Sequence, residues 1–168
     1  MIPDDSVFYD RCQGANPISD YFYLDDFIME YVENGIAVSG TVVCQFKELE
    51  PTDRMHVHIE VFKFQRGAWQ LTPFTMIIND FCPKQFAPTT PWYQMFFKHV
   101  VENDRKCFNR YNQTYHLEPF TLDLSMEMPM NMEGRWKVEL RVTAYKNGVK
   151  KYPFYFCAHI VGDVYKVI

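Results

Sequence analysis

From Ile36 to Phe46 an apolar or small residue recurs at every second position: Ile36, Val38, Gly40, Val42, Cys44 and Phe46. Ala37, Ser39, Thr41, Gln45 and Lys47 fill the alternate, mostly polar positions. Side chains alternate across a β-strand, so a period of two sets one face toward a core and the other toward water. The same period returns at Met55, Val57, Ile59 and Val61, at Phe120, Leu122, Leu124, Met126 and Met128, and at Trp136, Val138, Leu140, Val142 and Ala144. A last run presents Phe154, Phe156, Ala158 and Ile160, and residues 71–81 add one more segment. Seven or eight antiparallel strands of this kind bury their apolar faces as two sheets packed face to face or as a closed barrel. Two hairpins are marked by Asn-Gly, which tolerates the positive φ angles of a type I′ turn: Asn34-Gly35, after the strand-like FIMEYVE, and Asn147-Gly148, between the last two long strands.

A chain of 168 residues buries roughly 70% of its unfolded surface, enough for one domain with its own core. Aromatic residues make up 17%, with 15 Phe and 11 Tyr, side chains suited to sheet cores and apolar cavities. The net charge is −4 and Lys and Arg are scattered, so the basic stripe that phosphate contacts need is missing and nucleic acid is not an expected partner. No run of 18 apolar residues is present to span a bilayer. The opening MIPDDSVFYD has neither a basic nor an apolar leader region, as in a cytosolic chain or a mature secreted one. Five dispersed cysteines, Cys12, Cys44, Cys82, Cys107 and Cys157, lack zinc-site spacing and suit disulfides between distant strands. With the sequon Asn112-Gln113-Thr114, which makes Asn112 a glycosylation candidate, they favour a secreted, extracellular chain.

Residues 89–102 alone depart clearly from period two. Thr90 suits an N-cap and Pro91 the first helical position, where its missing N–H would be unsatisfied anyway. Trp92, Met95, Phe96, His99 and Val100 then form one stripe, with Tyr93, Phe97 and Val101 beside it, so the expected helix needs cover on more than one side. Cys82 and Cys107 flank it, and a disulfide between them would close a loop worth roughly 3 kcal/mol. Two readings follow: a lid over an apolar cavity, or a plug that completes the core.

The stretch VFKFQRGAWQLTPFTMIINDFC, the helix, and CFNRYNQTYHLEPFTLDLSMEMPMNMEGRWKVELRVTAY follow a recurring order. A strand ends in Cys82, an apolar helix leads to Cys107, Tyr115-His116-Leu117 with Phe120 forms a strand, and Pro129 and Gly134-Arg135-Trp136 lead into an amphipathic strand. Over about residues 25 to 160 the chain resembles the insect chemosensory-protein-B (CheB) family, itself related to the ganglioside activator and to lipid-recognition (ML) domains. The resemblance implies a mainly β, Ig-like two-sheet antiparallel sandwich or cup. It further implies secretion, a lipid held between the sheets, the helical segment near the mouth, and an N-terminal cysteine paired to the last strand, here Cys12 with Cys157. Phe108 stands where relatives often have proline, and the cysteine set is smaller than that of the ganglioside activator; a cofactor role in glycolipid degradation is not carried over. Cys44 remains as a buried thiol on an apolar face, or as the alternative partner of Cys157.

On a strand His56, His58 and Glu60 share a face and offer two imidazoles and a carboxylate to one metal, but no further ligand motif follows, and the ordinary reading is a solvated strand face. Gly-x-Ser-x-Gly and phosphate-binding loops are missing, and the adjacent carboxylates Asp4-Asp5 and Asp25-Asp26 point to opposite faces of a strand. The expectation is a non-enzymatic domain without metal or cofactor, binding a lipid or lipid-like, pheromone-like molecule for presentation or transfer. The ligand wall is assigned to Val38, Val42, Phe46, Phe120, Leu122, Leu124, Leu140 and Val142, and the mouth to Trp92, Met95, Phe96, Phe97 and Val100. Brief membrane contact through Trp92 and Tyr93 fits this reading. The alternative is an interaction module with a filled core, acting by its surface on a receptor or channel.

Overall fold

A computed structural model of the chain describes residues 2–4, 10–24, 26–33, 35–123, 125, 130–151 and 154–166. The strands in chain order are β1 (Ile2–Pro3), β2 (Asp10–Arg11), β3 (Phe22–Tyr23), β4 (Ile28–Val32), β5 (Gly35–Cys44) and β6 (Arg54–Gln65). They continue as β7 (Ala68–Leu71), β8 (Met76–Ile78), β9 (Thr114–Leu122), β10 (Gly134–Lys146), β11 (Val149–Lys150) and β12 (Phe156–Val164). One α-helix, α1 (Pro91–Met95), interrupts them. All strand pairs among the described residues are antiparallel and form two sheets, not a closed barrel, so the face-to-face solution holds. The first sheet runs β1-β12-β10-β6-β7, with β2 beside β12, β8 beside β6 and β11 on β10. In the second, β5 pairs with β3 and β4 and, on its opposite edge, with β9.

The turn chemistry behaves as the backbone requires. Lys146 pairs with Val149 across Asn147 and Gly148, whose φ values of 52° and 79° suit a type I′ turn. An equivalent turn at Arg66 (φ 52°) and Gly67 (φ 78°) joins β6 to β7, where the sequence lacks the Asn-Gly signal. The β4–β5 hairpin is present, but Val32 pairs with Gly35, which puts that glycine in the ladder and not in the turn; Asn34 lies outside the described residues. Gly40, at φ +104°, leaves room for the chain between β3 and β4, since a Cβ there would meet the Asp26 carbonyl oxygen at 2.0 Å. Register shifts between Val38 and Gly40, which face Phe120 and Leu117, so Glu118-Pro119 holds the extra residue of a bulge, a place that tolerates a missing N–H.

Three expected elements differ. Residues 71–81 are not one strand: β7 ends at Leu71, and β8 covers Met76–Ile78. The strand expected from Phe120 onward starts at Thr114 and ends at Leu122, while Leu124, Met126, Met128 and Pro129 lie outside the described residues. The helix expected over 89–102 is a single turn, Pro91–Met95, followed by 3₁₀ turns at Phe97–His99 and Glu102–Asp104. Pro91 does open it, but the Thr90 hydroxyl donates to the Ala87 carbonyl and makes no cap bond. Phe96 leaves helical geometry, and Val100 and Val101 take sheet-like contacts with β9, through a bridge to Leu117 and an N–H donated to His116 at 2.9 Å. Pairing with a sheet edge outweighs the weak helix propensity of β-branched residues.

The core is one apolar cluster between the sheets. Ile36, Val38, Cys44 and Phe46 from one side meet Met55, Val57, Val142, Ala144 and Phe156 from the other. At one end Tyr21, Phe22, Phe46, Phe154 and Phe156 stack edge to face or tilted, with centroids 5.1–5.8 Å apart. Two disulfides, Cys12–Cys157 and Cys82–Cys107, form as expected, and Cys44 is the free, fully buried thiol.

Candidate functional site

The inner face of the first sheet can be followed row by row, because β6, β10 and β12 pair in register. At the aromatic end, Val57, Val142 and Phe156 are buried. Two residues further along, Ile59 and Leu140 are only half-buried beside buried Ala158, and in the next row Val61, Val138 and Ile160 are all half-buried. The row beyond closes on β10 and β12, where Trp136 is 5% exposed and Gly162 is buried, while Lys63 on β6 stays half-buried. Along β10 and β12 the less covered apolar positions lie between buried ones, whereas along β6 exposure rises outward from Val57 through Ile59, Val61 and Lys63 to Gln65. The sheets are oriented by contacts at each end. Tyr21 and Phe22, beside the Cys44 end of β5, reach Phe156, and Phe46 reaches Phe154, while Tyr31, opposite Ile36, donates its hydroxyl to the Pro3 carbonyl at 2.6 Å, next to Gly162. The Ile36–Leu122 end of the second sheet therefore lies toward the less covered rows.

Segment 82–107 closes the side of the sandwich between β9 and the β6–β8 edge. Phe81 donates its backbone N–H to Met55, and Val101 donates to His116. The Phe97 ring lies 5.4–6.4 Å from the rings of Phe81, Phe86, Phe96 and Tyr115. Trp92 packs on Phe81 at 5.4 Å and donates its indole N–H to the Lys84 carbonyl. Gln85, fully buried, donates to the Tyr115 hydroxyl at 3.0 Å and accepts from the Phe108 N–H at 3.2 Å, while Tyr115 donates to Lys106 at 2.6 Å. Phe96 and His99 both meet Phe120 of the second sheet, the Phe96 ring at 6.1 Å and the His99 ring stacked at 3.8 Å. Partial burial first, then Lys98, hold its imidazole below its ordinary pKa, against an opposing pull from Glu118.

The expected ligand residues fall into three groups. Val38, Phe46, Val100 and Val142 are deep core; Val42, Trp92, Phe96, Phe97, Phe120, Leu122 and Leu140 are half-buried against it; Met95 is 48% exposed. Leu124 lies outside the described residues. Strand alternation alone does not single out the half-buried positions Ile59, Val61, Val138 and Ile160, because relative cover depends on the opposing sheet.

No protein-family model matches the chain, and no curated protein matches it. His56, His58 and Glu60 do share the outer face of β6, but Arg141 binds Glu60 and also Glu139 at 2.6 Å, and His56 packs near the Tyr145 ring. The one group of three metal-ligand side chains brought together among the described residues is Cys12, Glu139 and Cys157, and both sulfurs are committed to a disulfide. Two disulfides point to an oxidising, extracellular-type environment. No described helix is long and apolar enough to cross a membrane. Asn112 of the sequon is exposed in a turn at φ 58°, and the Thr114 hydroxyl donates to its carbonyl.

Proposed function

We propose that this chain is a secreted binding protein that carries a lipid or lipid-like small molecule between its two sheets, for presentation or transfer. The observation that supports this most is the pair of half-buried apolar rows, Ile59–Leu140 and Val61–Val138–Ile160, bounded by buried Val142 and Trp136. The resemblance to the CheB and ML-type families points the same way. Burying a methylene is worth about 0.8 kcal/mol, so ten give on the order of 8 kcal/mol gross, against an association cost of about 4–15 kcal/mol. Useful affinity therefore calls for a longer buried tail or a head-group contact.

A second reading rests on the continuous run of rings Phe156, Tyr21, Phe46, Phe108, Phe81 and Phe97, which fill much of the interior. On that reading the protein acts by its surface on a receptor or channel. Native mass spectrometry of protein secreted from eukaryotic cells separates the two, followed by denaturing mass spectrometry and lipid extraction. A bound mass that leaves on denaturation and is recovered as lipid supports the carrier; a bare mass with no uptake of offered lipids supports the surface reading. The same spectra read glycan at Asn112, which Asn112→Gln removes.

A further inference from the structure

On β6 the half-buried apolar positions end on a cation. Lys63 follows Val61 on the inner face of β6, pairs with Trp136 in the ladder, and is itself half-buried. Its ammonium lies 4.9 Å from the centre of the Trp136 ring. Lys63 is in none of the ion pairs formed among the described residues, as is also true of Lys47, Lys84 and Lys98, but it stands on the inner face of the first sheet. A lysine held beside an apolar surface without a counter-ion is suited to receive one from a ligand.

We infer that the ligand of this site is an anionic amphiphile of the fatty-carboxylate class, its head group paired with Lys63 and its tail lying along Val61, Val138, Ile59 and Leu140. From Lys63 to Ile59 is four strand residues, about 13 Å at about 3.3 Å each, which suits an acyl tail on the order of ten carbons. The inference rests on the carrier reading and adds the head-group chemistry to it. Charge decides between head groups: an ammonium head would meet Lys63 with repulsion, and an alcohol could accept a hydrogen bond from it but would lack the opposite charge that a carboxylate brings.

The test is calorimetric titration of the purified full chain with decanoate, decanol and decyltrimethylammonium at pH 8, on the native sequence, Lys63→Met and Lys63→Arg. Methionine keeps an unbranched apolar stem, so folding is retained and checked by circular dichroism. Decanoate should bind the native protein at least tenfold more tightly than decanol, with decyltrimethylammonium weakest. Lys63→Met should remove that tenfold preference by weakening decanoate much more than decanol, and Lys63→Arg should keep it. Equal binding of decanoate and decanol, or equal weakening of both by Lys63→Met, overturns the head-group assignment while leaving a carrier in place. Failure of all three probes to bind the native protein overturns the assignment together with the carrier reading.

Discussion

Gln85 spends both ends of its amide inside the protein, one on Tyr115 and one on Phe108. Gln85→Leu leaves the half-buried Phe108 N–H without its acceptor, a loss of about 1 kcal/mol, to be read as a lower urea midpoint. Nothing in the surrounding sequence signals this role, because the partners lie 23 and 30 residues away. Cys44 is the opposite case: its place in a period-two run already implies burial, and it is 0% exposed. Burial pushes its thiol from an ordinary value of 9.0 up to about 12. The folded state therefore holds a proton that the unfolded chain releases, so stability is complete below about pH 9 and falls as pH rises toward 12, by at most about 1.4 kcal/mol per pH unit. Urea unfolding at pH 8 and pH 10 should show a shallower loss for Cys44→Ala than for the native protein.

The 82–107 segment shows how an element can be legible in its ends and not in its middle. Cysteine positions and the Thr90-Pro91 start are sequence features, and both the disulfide and the helix start follow them. Helix length is not, because Val100 and Val101 have a better partner in β9, which is remote in sequence. Replacing both cysteines, Cys82→Ser with Cys107→Ser, releases a 25-residue closure, worth roughly 3 kcal/mol by the chain-entropy model. For a domain of this size that is a melting midpoint lower by about 6–12 °C, accompanied by new proteolytic cuts within 83–106 while the paired strands stay protected. Loss of stability without local cutting would mean that the disulfide does not hold this segment in place. A charge at Phe97 would instead disrupt packing, since that ring meets four other aromatic rings.

Across the whole molecule, the question is whether the half-buried rows receive a ligand. Val138→Trp fills that space from the middle of β10 and should cut lipid uptake at least tenfold in native mass spectrometry, with the β circular-dichroism spectrum retained. Unchanged uptake would move the ligand elsewhere on the molecule. By itself the sequence determined the antiparallel strands, the Asn147-Gly148 turn and the burial of the alternating faces, because period two and positive-φ turns are properties of neighbouring residues. The pairing of Cys12 with Cys157 came from a resemblance in the order of elements, which the strand layout then bore out. Only the tertiary structure decided where cover is thin, how Lys63 ends those rows, and that segment 82–107 closes a side of the sandwich. Those features depend on how far one sheet extends over the other, a relation between residues distant in the chain that no local period records.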